Sequence, residues 1–230
     1  SNSPLDFLYD NTQKTFAINK HCWLAAQSKL CLKDDSTIKL TQGELALALE
    51  INADFLTPFI HEDIRLNSAL AGNVAISWDA SHILSANADL NLSNGNIHIN
   101  RQDNLYPLLD WKKGQLNFKL DQNSMAGNFA LFSSDSGEIV KLRTSILFDE
   151  SRMIDSQIII HDLNISPLHV FIPELTSLEG RLNTTLTVVG DLESPIIKGE
   201  VSIDKGNAKI LGNINTLEDI NMAIDFKGQE

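Results

Sequence analysis

The two cysteines of the chain, Cys22 and Cys31, are the residues whose chemistry is easiest to place. Their separation of nine positions suits a disulfide between neighbouring strands in an oxidising compartment. Two reduced thiols buried in a core are the alternative. A structural zinc site needs further ligands in a tight pattern, and only His21 lies beside them, so we predict no metal site.

Residue types that serve in catalysis are present but form no known catalytic arrangement. None of the six histidines stands in a spacing such as H-E-x-x-H, and the paired acids Asp34–Asp35 and Glu62–Asp63 fall in predicted turns or connectors. The sequence contains no nucleophile elbow, dinucleotide-binding glycine motif or phosphate-binding loop. We therefore predict that the chain is not an enzyme and uses no cofactor.

The charge balance limits the choice of partner. The chain carries 30 acidic and 18 basic residues, for a net charge of −12. A surface of this sign repels phosphate, so nucleic acid is a poor partner, and an anionic membrane surface is disfavoured on the same ground. No run of ~18 apolar residues occurs, so no segment is predicted to span a bilayer.

The elements that position these residues are predicted by an alternation of apolar and polar residues. It is clearest over residues 178–210, where Leu182 and Leu186 share one face of a strand and Val201 and Ile203 share one face of the next. Clusters of glycine, proline and aspartate separate such runs. This pattern is typical of half-buried antiparallel strands.

The same alternation recurs earlier in the chain. The spacing of Leu45, Leu47 and Leu49 favours a strand over the alternative of a helix. Asn94–Gly95 is typical of a two-residue hairpin turn. Short apolar connectors precede several strands, at residues 55–60, 105–111 and 165–173, and we predict helical turns in the segments 53–69 and 104–112.

We predict an all-β fold: one elongated, curled, mostly antiparallel sheet with an apolar interior and a few short helical connectors. The repeated unit of connector, glycine and strands favours a stacked sheet. An irregular segment is predicted for residues 1–15 and one continuous domain for residues 16–230. Because no addressing signal is found and the strand pattern continues almost to Glu230, we expect a piece of a longer protein.

The apolar face of the strands is the remaining candidate site. In a closed sandwich this face is core, whereas in an open, curved sheet it is a trough that can bind lipid acyl chains. The alternation is compatible with both. The predicted lining residues are Leu45, Leu47, Leu49, Val74, Ile76, Trp78, Leu90, Leu92, Leu116, Phe118, Leu182, Leu186, Val188, Val201, Ile203, Ile224 and Phe226.

Several stretches resemble the TamB family and its AsmA-like relatives, whose repeats read G-x-L-x-x-P and then G-x-h-x-h, where h is apolar. The matching stretches are Gly190–Pro195, Gly199–Ile203, Lys205–Gly206 and Leu217–Phe226. The segments around Cys22 and Cys31 also look like a pair of cysteine-bearing strands in that family. The resemblance is clearest over residues 178–228 and indicates an interior to C-terminal periplasmic piece.

The resemblance implies a protein that is anchored in the inner membrane of Gram-negative bacteria and crosses the periplasm. It implies the β-taco fold and a bridge-like carrier whose ligands are phospholipid acyl chains. The implied partner is TamA, an outer-membrane barrel, bound through parts of the protein outside this chain. The alternative function is assembly of outer-membrane proteins and autotransporters through strand-edge pairing. No catalytic residues belong to the family, and a periplasmic location favours the Cys22–Cys31 disulfide.

Overall fold

The computed structural model of the chain describes residues 7–25, 28–39, 41–52, 62–79, 82–101, 104–133, 137–149, 152–212 and 216–228. Within these ranges lie eighteen strands and one 3-10 helix, Ser166–Phe171. The strands are β1 (Phe7–Asp10), β2 (Thr15–Ile18), β3 (Cys22–Ala25), β4 (Ser28–Leu32), β5 (Ser36–Lys39), β6 (Gln42–Asn52), β7 (Ile64–Asn67), β8 (Ala69–Asp79), β9 (His82–Leu92), β10 (Gly95–Arg101), β11 (Asn104–Trp111), β12 (Lys113–Asp121), β13 (Ser124–Phe132), β14 (Glu138–Leu147), β15 (Met153–Asn164), β16 (Leu175–Asp191), β17 (Ser194–Ile210) and β18 (Thr216–Lys227).

Fifteen of these strands form a main sheet in which the paired strands are antiparallel. Its path runs β1-β2-β5-β6-β8-β9-β12-β13-β14-β15-β16-β17-β18. The sheet forks at β6, because β8 pairs along the whole of one edge while β5 and β4 share the other. The hairpin β3–β4 is therefore a side branch. The all-β, antiparallel prediction is confirmed.

The other three strands form a second sheet in the order β11-β10-β7. Each is joined to a strand of the main sheet by a short link: β7 to β8 at Ser68, β10 to β9 at Ser93–Asn94, and β11 to β12 at Lys112. The hairpin predicted at Asn94–Gly95 is wrong, because β9 pairs with β8 and β12 whereas β10 pairs with β7 and β11. The chain passes from one sheet into the other at this point.

A buried core lies where the two sheets meet. Its centre is formed by Trp111, Leu131 and Ile139, and Trp111 is 4% exposed. The indole N–H of Trp111 donates to the carbonyl oxygen of Ser93 at 2.9 Å, which satisfies the polar group of this side chain. Half-buried residues of both sheets pack around this centre: Leu66, Leu92, Ile97, Leu109, Phe129 and Val140.

The helix predicted at residues 104–112 is wrong, because residues 104–111 form strand β11. The register of β11 against β10 shifts between Ile97 and His98, so Leu108 is the extra residue of a bulge and Pro107 lies beside it. A bulge tolerates the missing N–H of proline within a ladder, and pairing with β10 then outweighs the helix-like spacing of the apolar residues.

The other segment, 53–69, predicted to hold helical turns, contains strand β7 and the first residue of β8 in its second half. Its residues 53–61 lie outside the described part. The apolar connector at residues 165–173 holds a 3-10 helix at Ser166–Phe171, where Pro167 occupies the first turn and its fixed φ favours helix initiation.

Strand β6 confirms the strand predicted around Leu45, Leu47 and Leu49. In the segment predicted to be irregular, residues 7–10 instead form strand β1, which pairs with β2 through Tyr9 and Phe16. The assignment of residues 16–230 to one continuous domain stays a prediction.

A disulfide joins Cys22 and Cys31, which oppose each other in the β3–β4 hairpin. The disulfide interpretation of this pair is confirmed, and the alternative of two buried thiols is wrong. The disulfide links the two strands of the side branch, β3 and β4. It does not link any of the strands that follow β6 in the main sheet.

Replacing both cysteines by serine is expected to destabilise the β3–β4 hairpin by about 3 kcal/mol, the loop-closure entropy of a cross-link around roughly ten residues. Hydrogen exchange of the oxidised chain and of the Cys22→Ser/Cys31→Ser variant measures this. Faster exchange confined to residues 22–32 is expected. An equal increase throughout β12–β17 would contradict the side-branch topology.

Candidate functional site: the apolar face of the main sheet

The register between strands brings the apolar residues of the main sheet onto one face. Residues that lie directly opposite each other on paired strands have their side chains on the same face of the sheet. Following these pairs from strand to strand therefore traces a row of side chains across the sheet. Leu186, for example, lies opposite Ile158 on β15 and Gly199 on β17. One such row, called here the central row, crosses the strands from β6 to β18 and consists of Leu49, Gly72, Leu90, Leu116, Phe129, Leu142, Ile158, Leu186, Gly199 and Phe226.

The predicted lining residues all fall on this face. Five of them belong to the central row itself. The others lie an even number of residues from a member of that row on the same regular strand segment, and period-two geometry puts them on the same side. These are Leu45, Leu47, Val74, Ile76, Trp78, Leu92, Phe118, Leu182, Val188, Val201, Ile203 and Ile224.

Sequence reasoning missed the share of this face that β13, β14 and β15 supply. Besides their members of the central row, these strands add Met125, Leu131, Val140, Ile146, Ile154 and Ile160. Their apolar residues alternate as regularly as those of β16, so the signal needed to include them is present in the sequence. The apolar face is therefore continuous across β13, β14 and β15, the strands from which the predicted lining named no residue.

Most of this face is half-buried, and parts of it are exposed. Leu90 and Leu131 are buried, whereas Met222, Ile224 and Phe226 on β18 are exposed. A compact protein of 25.5 kDa exposes about 10,400 Å² of surface, but this chain exposes 15055 Å². This larger accessible surface argues against a closed sandwich. Part of the apolar face is accessible to a ligand.

The second sheet and the 3-10 helix cover one margin of the face. Leu109 of the second sheet packs at the core beside Leu131 and Val140. Farther along the sheet, Ile165 precedes the 3-10 helix, is almost fully buried and approaches Gly180. The covered margin is the one at which the chain enters the second sheet. The β12–β13 and β16–β17 turns lie at the other margin.

The two covering elements also contact each other. The rings of Tyr106 on β11 and His169 on the 3-10 helix meet edge to face, with centroids 5.7 Å apart. His169 Nδ1 lies 2.6 Å from the carbonyl oxygen of Ser166, a geometry in which the ring nitrogen donates. This contact links the second sheet to the connector between β15 and β16.

A line of β-bulges crosses the last four strands of the main sheet. The register shifts beside Asp162, Gly180 and Lys205, and Asp162, Lys205 and Asp219 have left-handed φ angles of 53°, 54° and 52°. Each of these three N–H groups donates to an asparagine of the neighbouring strand: Asp162 to Asn183 (2.9 Å), Lys205 to Asn221 (3.1 Å) and Asp219 to Asn207 (3.1 Å). Because bulges bend strands, this line determines where β15–β18 bend.

The opposite face of the main sheet is polar. The side-chain amide of Asn117 donates to the carboxylate of Asp89 at 2.7 Å across β12 and β9. At the β12–β13 turn, the backbone N–H of Asn123 and the hydroxyl of Ser124 donate to Asp121 and lower the pKa of its carboxyl group. Such a face is suited to water, so an apolar ligand would bind on the other side.

Within the described ranges, no group of three or more His, Cys, Asp or Glu side chains converges as a metal site. No helix among the described residues is both long enough and apolar enough to cross a membrane.

This geometry defines a class of protein that is built as a repetitive antiparallel β-sheet. One long apolar face of the sheet is incompletely covered. The sequence profile of "TamB, N-terminal domain" matches residues 1–203. The chain therefore belongs to the TamB family.

The chain is similar to the "Translocation and assembly module subunit TamB" of Haemophilus influenzae, with 24% identity over 228 residues. The match covers 98% of this chain and 17% of the relative, so the chain spans a small part of the relative's length. No solved structure matches the chain.

The family assignment made from the sequence is confirmed, but the position within the family is not. The matching profile is that of the N-terminal domain, whereas the motifs indicated an interior to C-terminal piece. Those motifs cluster over residues 178–228, while the profile covers residues 1–203. The family consists of non-enzymatic assembly-module subunits, so the prediction that the chain is not an enzyme is confirmed by its membership.

Proposed function

We propose that this chain is a periplasmic segment of a TamB-type protein that carries phospholipid along the apolar face of the main sheet. The sheet curls into a trough, with the second sheet and the bulge line on its closed side. The full-length protein is anchored in the inner membrane, bridges to the outer membrane and supports outer-membrane biogenesis. It engages a TamA-like barrel through parts outside this chain.

The observation that carries this proposal is the continuity of the central row. Every member is either apolar or glycine, so an acyl chain moving from Leu49 toward Phe226 meets no polar side chain at this level. At ~25 cal/mol per Å² of buried apolar area, an acyl chain gains several kcal/mol along such a surface. The headgroup stays in water at the margin that the second sheet leaves open.

Leu186→Asp is expected to weaken phospholipid binding roughly 100-fold, because a charged side chain in contact with acyl chains costs about 3 kcal/mol. Leu186 is half-buried in the central row. Native mass spectrometry of the 230-residue chain, purified with phospholipid, measures the lipid-bound fraction.

The matched control is Thr185→Asp, which places the same charge on the adjacent, exposed residue of the polar face. Lipid binding equal to that of the unmodified chain is expected for this variant. If both variants bind lipid as well as the unmodified chain does, the trough proposal fails. Equal loss in both would point to a general loss of folding.

A second candidate function, assembly of outer-membrane proteins, is favoured by the edge of β18 that no described strand pairs with. Among the described strands, β18 pairs with β17 alone, and most of its side chains are exposed, including Leu217 and Ala223. An extended client segment could add to this edge through backbone hydrogen bonds.

Proline scanning separates the two candidates. Of Met222 and Ala223, only one has its N–H directed toward the edge away from β17, because the direction alternates along a strand. Proline at that position should abolish client binding while leaving β17–β18 pairing and lipid binding intact. A crosslinking assay with an unfolded outer-membrane protein and native mass spectrometry supply the two readouts. Unchanged client crosslinking with either proline would exclude this edge.

A further inference from the structure

The net charge of the chain conceals an uneven distribution. Residues 7–39 contain five lysines and three aspartates, with no arginine or glutamate, for a net charge of +2. Since the whole chain carries −12, the remaining residues together carry −14. The first five strands therefore form a basic end of an otherwise strongly acidic sheet.

The five lysine side chains of this end are exposed; Lys14 also donates to the side-chain oxygen of Asn11, and Lys29 lies opposite Glu50 on β6. Two of the three aspartates accept backbone N–H groups. Asp10 accepts the backbone N–H of Thr12 at 2.7 Å, and Asp35 accepts that of Lys20 at 2.6 Å. The five lysines are Lys14, Lys20, Lys29, Lys33 and Lys39.

The same end exposes large apolar and aromatic side chains on its two outermost strands, β1 and β3. Leu8 is 71% exposed and Leu24 is 70% exposed. Tyr9 packs against Phe16 with ring centroids 4.7 Å apart, and Trp23 is exposed on β3. Tyrosine, tryptophan and lysine together with aliphatic side chains are the composition that favours the membrane–water interface.

The opposite end of the sheet lacks this combination. Strand β18 also exposes apolar residues, such as Leu217, but it carries Glu218, Asp219 and Asp225 against a single Lys227. An anionic surface would repel it. The charge pattern thus distinguishes the two ends of one sheet and matches only the basic end to a negatively charged partner.

We propose that the β1–β4 end of the sheet docks on the surface of a bilayer that contains anionic phospholipid. Leu8 and Leu24, which share the polar face of these strands with Lys29 and Lys39, enter the headgroup region, and the two lysines lie over the phosphates. The central row also reaches this end, because Leu49 lies opposite Leu30, and Leu30 opposite Trp23. This docking is separate from the proposed lipid transport, which requires only the face from β6 to β18.

Vesicle flotation of the 230-residue chain tests the proposal. The vesicles contain either phosphatidylcholine alone or phosphatidylcholine and phosphatidylglycerol in equal parts. Flotation with the anionic vesicles at low salt, and its loss in ~0.5 M salt where charges are screened within a few ångströms, is expected. No flotation with neutral vesicles is expected.

Two variants locate the contact. A Lys29→Gln/Lys39→Gln variant should float roughly 20-fold less, since each lysine near an anionic surface strengthens partitioning about fivefold. Leu24→Asp, at an exposed position of β3, should also reduce flotation. Matched controls at the acidic end of the sheet, Lys198→Gln/Lys209→Gln and Leu217→Asp, should float like the unmodified chain.

Several outcomes would overturn the proposal. Equal flotation with neutral vesicles, or equal loss in the Leu217→Asp control, would show that contact is not made by this end. Loss in Leu186→Asp alone would place vesicle contact in the trough. A dimer that is broken by Leu24→Asp, without vesicle binding, would make a second copy of the chain the partner.

Discussion

A Gly199→Ala variant is expected to lose about 4 kcal/mol of its free energy of unfolding. Gly199 has a φ of 122°, which a residue with a side chain rarely adopts. A Cβ at this position would overlap the carbonyl oxygen of Thr185 and lie 3.0 Å from the Cα of Leu186. Strain at φ and the forced shift of the β16 backbone each cost about 1–3 kcal/mol.

The matched control is Gly212→Ala, which separates the two costs. Gly212 also has a positive φ, 76°, but a Cβ there would have no atom within 4 Å. This variant is expected to lose about 1 kcal/mol, from the backbone conformation alone. Urea denaturation followed by circular dichroism measures both variants. If both variants lose the same free energy of unfolding, close packing of β16 on β17 is not the reason that position 199 requires glycine.

A Trp111→Ala variant is expected to lose about 3–5 kcal/mol, the usual cost of removing a buried aromatic side chain. Trp111 is the largest residue at the contact between the two sheets and lies within reach of Leu131 and Ile139. Without it, the second sheet loses its main anchor. Apart from Trp111, Ile99 is the one buried residue of the described second sheet, so its three strands should open before the main sheet.

Hydrogen exchange distinguishes local release from general unfolding. Loss of protection in β7, β10 and β11, with retained protection in β15–β17, is the expected result. Trp111→Phe is the control: it keeps most of the apolar volume and loses only the hydrogen bond to Ser93, at a cost of about 1–2 kcal/mol. A uniform loss of protection in Trp111→Ala would mean that the two sheets unfold as one unit.

These variants also bear on how much of the apolar face is free for a ligand. The second sheet covers the margin near Leu92, Leu131 and Val140, so its release would uncover further apolar surface. If the trough binds phospholipid, Trp111→Ala should retain lipid binding, since the central row is formed by the main sheet alone. The second sheet would then serve as a wall, and β6 to β18 as the binding surface.

The proposed docking end and the proposed trough are connected through β4. Leu30 pairs with Leu49, the first residue of the central row, and with Trp23 at the exposed end. The disulfide holds β3 against β4 and so maintains the position of Trp23 beside that row. A lipid that leaves a bilayer at the basic end would meet a continuous apolar path.

Several features of the site were predictable because they depend on local pattern. Alternation at period two marks Leu182 and Leu186, or Leu45 and Leu47, as sharing a face wherever the strand is regular. Family motifs near Gly190–Pro195 indicated the right family, although degenerate repeats did not place the chain correctly within it.

Other predictions failed where local pattern and long-range pairing disagree. The apolar spacing in residues 104–112 favours a helix, and Asn94–Gly95 is a typical hairpin signal. Both lie in the second sheet, where pairing of β10 with β11 and β7 decides the structure. The sequence around residue 94 contains no signal that β10 pairs with β7, because β7 lies far earlier in the chain.

The sequence by itself determined that this protein is made of antiparallel strands with one apolar face, that Cys22 and Cys31 are candidates for a disulfide, and that no familiar catalytic motif is present. These are properties of residue type and short spacing. Only the tertiary structure decided the fork at β6, the second sheet anchored by Trp111, the bulge line from Asp162 to Asp219, and the joining of the apolar faces from β6 to β18 into one row. The physical reason is that register and sheet membership depend on hydrogen bonds and packing between residues distant in the chain, which period-two alternation leaves undetermined.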